Sequence, residues 1–116
     1  MSNNLQNLIK ILSSLAESAY KDGWLSIEYI AGEELPFFMS EERRADAELL
    51  RKIPILIQGI EQLLSKLDTA GLFLFLQESI TGDETPEELL AAEFLRCVAE
   101  RKDGAETAKR LKNVRI

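Results

Sequence analysis

Histidine is absent from this chain of 116 residues. Without an imidazole there is no Ser-His-Asp or Cys-His nucleophilic system, no acid–base catalysis by histidine, and none of the usual zinc sites. Cysteine occurs once, at Cys97, which excludes an internal disulfide and a thiolate-rich metal centre. The six glycines are scattered, so neither GxGxxG nor GxxxxGK[ST] occurs and no phosphate-cradling loop is encoded. A GxSxG nucleophile elbow is missing too. Unbroken apolar runs stop at about five residues, against the roughly 20 that a membrane-spanning helix needs. Carboxylate chemistry is what these absences leave, because it requires only Asp and Glu.

What is present fits a folded domain. Hydrophobic residues make up 46% and charged residues 29%, a globular composition rather than a disordered one, and the length suits one domain, residues 1–116, with one core. The net charge of −6 is uneven. Residues 1–100 hold 8 Lys and Arg against 18 Asp and Glu, a net of −10, whereas residues 101–116 hold 6 against 2, a net of +4. An acidic body disfavours nucleic acid, whose phosphates need a positive face. The basic C-terminal tail, about 105–116, either folds back on the domain or meets an acidic partner through Lys109, Arg110 and Lys112. The start, MSNNLQNLIK, has no basic leader or cleavage site, so a cytoplasmic location is expected.

The densest apolar stretch is Ile53–Ile80. Ile53, Leu56, Ile57, Ile60, Leu63, Leu64 and Leu67 keep the three-and-four spacing of one helix face. Leu72 to Leu76 is apolar all round, which calls for burial on most sides or for a second copy; Asp68 or Thr69 is placed to cap a helix through it. Leu5, Leu8, Ile9, Leu12, Leu15, Ala16 and Ala19 mark a first helix, stopping at Lys21-Asp22-Gly23 and expected to pack against 53–67. Residues 24–30 mix strand alternation with Ser26 as a possible cap; lacking a partner strand, a short helix from Ile27 to Glu34 is expected. Ser40-Glu41-Glu42 opens a helix whose face Ala45, Leu49, Leu50 and Ile53 continues to Pro54, where either a kink or a break follows. Thr85-Pro86-Glu87-Glu88 is a capping box with proline at the first helical position. The helix after it is expected to end near Asp103-Gly104, with Cys97 buried on its apolar side. Ala105 to Leu111 forms a last short helix, and 113–116 should fray.

These elements predict an all-α fold, a compact bundle of about five to six helices in which helices near 4–21, 41–67 and 86–102 enclose the apolar segment 70–80. Two carboxylate patterns carry resemblances. Glu84-x-x-Glu87 followed by Glu100-x-x-Asp103 is similar to the MazG-like nucleotide pyrophosphohydrolases, a resemblance that implies magnesium held by paired carboxylates. Those enzymes set the pairs on facing helices, whereas Glu87 and Glu100 fall on one helix, about 20 Å apart. Asp22-Gly23 with Ser26 and Glu28, in the stretch from Ala19 to Glu28, resembles the Asp-Gly turn of TerB-like helical domains, which implies Asp22 and Glu28 as metal-binding candidates; an EF-hand's alternating ligands are missing.

Among side chains suited to a partner surface, Trp24, Tyr29, Phe37 and Phe38 cluster within fifteen residues, and aromatic anchors dominate interfaces. Phe37-Phe38-Met39 in a connector predicts a loop folded onto the core; exposed, it would mark a binding site. The leading expectation is a small acidic protein–protein interaction module of the adaptor, antitoxin, immunity or phage-modulator kind, without catalytic residues or a cofactor. The alternatives are a carboxylate-dependent divalent-metal domain or hydrolase and a structural homodimer.

Overall fold

The first helix, α1 (Asn3–Asp22), buries every position its spacing picks out, and Ile11 besides. It stops where Gly23 turns to φ +89°, a conformation that suits glycine. This architecture comes from a computed structural model that describes residues 3–32, 34–66 and 68–115, Lys66 by its backbone alone. Among the described residues there are helices and no strand. Leu67, expected on the face of the third helix, lies outside them.

Residues 24–30 form a 3-10 helix, Trp24–Ile30, rather than the helix expected from Ile27 to Glu34. Ser26 does not cap a later helix, since its hydroxyl donates back to the Gly23 carbonyl at 2.7 Å. Ile27 and Ile30, three apart and so on one side of a 3-10 turn, are both fully buried.

α2 (Glu41–Leu50) and α3 (Pro54–Lys66) are separate helices. Pro54 begins α3, where its missing N–H costs nothing, and Arg51–Ile53 make the turn between them. The buried face of α2 is Ala47 and Leu50, while Ala45 is exposed and Leu49 40% exposed, so the expected face is rotated. Its caps follow the local chemistry: Ser40 Oγ accepts from the Arg43 N–H at 3.3 Å.

α4 (Thr69–Ser79) is capped by Asp68, which accepts from the Gly71 N–H at 2.9 Å. It packs on α3 and α5, burying Leu72 and Leu76 and leaving Phe73 and Leu74 exposed. The segment expected to be enclosed therefore lies at the side of the bundle.

The centre is α5 (Pro86–Ala99), started by the expected capping box: Thr85 Oγ1 accepts from the Glu88 N–H at 3.2 Å and Glu88 Oε1 from the Thr85 N–H at 3.0 Å. It touches α1, α3, α4 and α6 and buries Leu90, Ala91, Ala92, Phe94, Leu95, Cys97, Val98 and Ala99. α1 takes α5 and α6 as main neighbours rather than α3.

α5 ends earlier than Asp103-Gly104. Lys102 N–H donates to Cys97 O at 2.9 Å and Arg101 N–H to Val98 O at 3.1 Å, with Arg101 at φ +60° in the position glycine usually fills. Asp103 instead caps α6 (Gly104–Lys112), accepting from the Glu106 N–H at 2.9 Å. Gly104 brings α6 against α1: its N–H donates to Glu17 Oε1 at 3.0 Å, and a Cβ there would lie 2.9 Å from the Ser13 carbonyl. The basic tail thus folds back on the domain, burying Thr107 and Leu111, and Val114 packs on the core instead of fraying.

Candidate functional site

The connector between the 3-10 helix and α2 is where the domain leaves large apolar side chains in water. Pro36 fixes its own φ and starts a turn closed by the Met39 N–H on the Pro36 carbonyl at 3.1 Å. Phe37 and Phe38 therefore occupy the two corner positions. They are 93% and 81% exposed, and their rings meet edge to face, centroids 5.8 Å apart at 78°. The expectation that this loop folds onto the core is overturned, because a turn this tight points both corner side chains away from the chain it reverses.

The tip is held from both sides. Arg44 Nη2 donates to the Pro36 carbonyl at 2.8 Å, and Ser40 ends the connector by capping α2. On the other side Arg51, at the end of α2, closes over the end of the 3-10 helix. Its Nε donates to Ile30 O at 3.2 Å and its Nη2 to Tyr29 O at 3.1 Å and to the Gly32 carbonyl. Tyr29 O also accepts from the Gly32 N–H at 3.3 Å, and the guanidinium fork adds donors for the carbonyls that end the 3-10 helix and its exit.

The other residues singled out in the sequence are spread over the molecule. Trp24 is half-buried, its Nε1 donating to Val98 O at 3.2 Å and its ring lying under the Arg101 guanidinium at 5.1 Å. Tyr29 packs against the core with Arg43 over its ring at 5.6 Å. Arg110 bridges α6 to α5: its Nε donates to Glu93 Oε1 at 2.9 Å and its Nη1 to Glu100. Lys109 and Lys112 are exposed beside it. Of the four aromatic residues singled out, Phe37 and Phe38 stand together as an exposed pair.

The carboxylates are similarly dispersed. Asp22 lines a polar groove of about 300 Å³ between α1, the 3-10 helix and α2, together with Ser18, Ser26, Tyr29, Arg43 and Asp46. Glu28 is exposed and does not line it. Glu84 accepts from the Gly82 N–H at 3.0 Å and the Thr81 N–H at 3.2 Å, and the Gly82 bond is the main cause holding its pKa below the usual value. Glu100 pairs with Arg110 and Asp103 caps α6, so these carboxylates serve the fold in three different places. Among the described residues no group of three or more Cys, Asp and Glu side chains is placed to hold a metal ion. Burial raises the Cys97 thiol pKa, which keeps it in the unreactive form.

A second groove, of about 680 Å³, lies between α1, the α2–α3 joint and the start of α5. Leu8, Leu49, Ile53 and Pro54 line it, with Lys52 and Glu87 of opposite charge and Glu88 already used in the capping box. Its size suits a small molecule, but its charged groups do not converge on one ligand chemistry.

No family model, curated protein or solved structure matches the chain. Fold alone does not assign function.

Proposed function

We propose that this protein is a small interaction module that engages a partner protein through the Phe37–Phe38 tip. The observation that carries the reading is two adjacent phenylalanines, 93% and 81% exposed, at the corner of a turn clamped by Arg44 and Ser40. Taking one such ring out of water is worth about 1.5–3 kcal/mol, a gain this fold leaves unused. The clamped turn limits the conformational freedom left to lose on docking, so more of that gain goes into affinity. Two rigid aromatic side chains projecting side by side have the form of an interface anchor.

Capture from extract of the source cells tests this. The wild-type chain should retain a partner that the Phe37→Ala plus Phe38→Ala variant loses while its circular dichroism and thermal melt are unchanged. Equal retention by the variant would remove the tip from the function.

A further inference from the structure

Resting on the reading of Phe37–Phe38 as the docking element, we infer that its partner is a protein with an apolar cleft rimmed by lysine and arginine, recognised by the tip's collar of glutamates. The connector reads Glu33-Glu34-Leu-Pro-Phe-Phe-Met-Ser-Glu41-Glu42, apolar in the middle and acidic at both ends. Residues 28–48 carry seven acidic side chains against two basic ones. Those two are Arg43 and Arg44: Arg44 holds the Pro36 carbonyl, and Arg43, though exposed, lies over the Tyr29 ring. Glu34, Glu41 and Glu42 are exposed. Glu34 precedes Phe37 by three residues and Glu41 follows Phe38 by three, so each backbone position lies within about 11 Å of a ring-bearing one. That is close to the screening length of about 8–10 Å at physiological salt, so charge on a partner that meets the rings is within reach of these carboxylates.

Charge decides between occupants. A pair of exposed phenylalanines could enter a bilayer surface, but membrane surfaces exposed to the cell interior are anionic and repel a glutamate collar. Nucleic acid is disfavoured for the same reason. Among the described residues a second copy offers an apolar groove at Leu8, Leu49, Ile53 and Pro54, but its edge carries Glu87 and Glu88 against Lys52 and so lacks a cationic rim, and the exposed side of α6 mixes Glu106 with Lys109 and Lys112. A cleft with an apolar floor and a cationic rim matches both halves of the connector. The acidic collar then acts chiefly on association rate and partner choice, and the rings on residence time.

The test uses the full chain with p-benzoylphenylalanine in place of Phe38, irradiated in extract of the source cells at 50 mM and 500 mM NaCl. The same chain is compared with versions also carrying E34K/E41K/E42K or E34Q/E41Q/E42Q, each checked for native circular dichroism. The proposal expects a discrete protein adduct whose rate of formation falls about tenfold with the Lys set, by an intermediate factor with the milder Gln set, and strongly at 500 mM salt. The cross-linked partner peptide should lie among Lys or Arg residues. An adduct that survives both charge changes and high salt would overturn the basic rim while leaving the tip as the docking element. No adduct from the unmodified collar, or flotation of the chain with phosphatidylcholine–phosphatidylserine vesicles lost on Phe37→Ala, would overturn both.

Discussion

A methyl group placed on Gly59 would lie 2.3 Å from Leu95 Cδ1 and 2.9 Å from Leu95 Cδ2. Leu95 is fully buried in α5, so a methyl group at 59 would force its side chain to shift within the core, and the contact between α3 and α5 depends on the missing side chain. Alanine would raise helix propensity by about 1 kcal/mol, yet overpacking a filled core costs about 1–3 kcal/mol. Gly59→Ala is therefore expected to lower stability by about 1 kcal/mol, read from the urea midpoint. A midpoint above wild type would show that Leu95 repacks freely. Glu84 gives a residue-scale test in pH. Its carboxylate is held below the usual pKa, first by the Gly82 N–H. Its contribution is thus present above the ordinary Glu range and is lost as pH falls through its folded pKa. Glu84→Gln should melt lower than wild type at neutral pH, with the gap closing in acid; a gap independent of pH would contradict this origin.

At the scale of elements, local chemistry was legible and tertiary placement was not. Thr85-Pro86-Glu87-Glu88 announced the start of α5 because a capping box is made by residues within one turn of each other. The same holds for Ser40, Asp68 and the helical spacing of α1. The centre of the bundle differs from the densest apolar stretch because apolar density is not burial. Leu72 and Leu76 of α4 point inward while Phe73 and Leu74 do not. α5 spreads its large apolar residues over a longer helix, but Ala91, Ala92 and Ala99 let neighbours approach on several sides. The end of α5 has no signal in the sequence because Arg101 takes the left-handed position that a glycine would mark. Arg51 left no signal at all, since its partners Tyr29, Ile30 and Gly32 are backbone carbonyls some twenty residues away. Removing that fork should uncouple the 3-10 helix from α2. Arg51→Ala is expected to cost about 1–3 kcal/mol and to speed amide exchange in 24–32; wild-type stability and exchange would show that water replaces the guanidinium without loss.

For the whole molecule, all the described helices share one core, with a radius of gyration of 13.1 Å. None of them is long and apolar enough to cross a membrane. The exposed parts of Phe73 and Leu74, at 38% and 56%, amount to roughly 150–200 Å². A stable dimer buries about 800 Å² on each partner, so α4 alone does not supply one. Sedimentation at micromolar concentration is expected to give the mass of a single 13.1 kDa chain; twice that mass would favour the homodimer. The acidic body and basic tail were legible as composition, but the folding back of that tail and the exposure of Phe37 and Phe38 were not. Two phenylalanines beside a proline read equally well as a loop packed inward, and the clamp that turns them out is made by Arg44 on a carbonyl eight residues before it.

The central claim is that binding resides in the tip and not in apolar exposure at large. Leu25 and Leu74, 68% and 56% exposed, provide the comparison. The most direct measurement is the affinity of the captured partner for two folded variants, Phe37→Ala plus Phe38→Ala and Leu25→Ala plus Leu74→Ala. The expected result is a loss of roughly thirtyfold or more, about 2 kcal/mol, for the first and near wild-type affinity for the second. Retained affinity in the first, or an equal loss in both, would contradict a docking role for Phe37–Phe38.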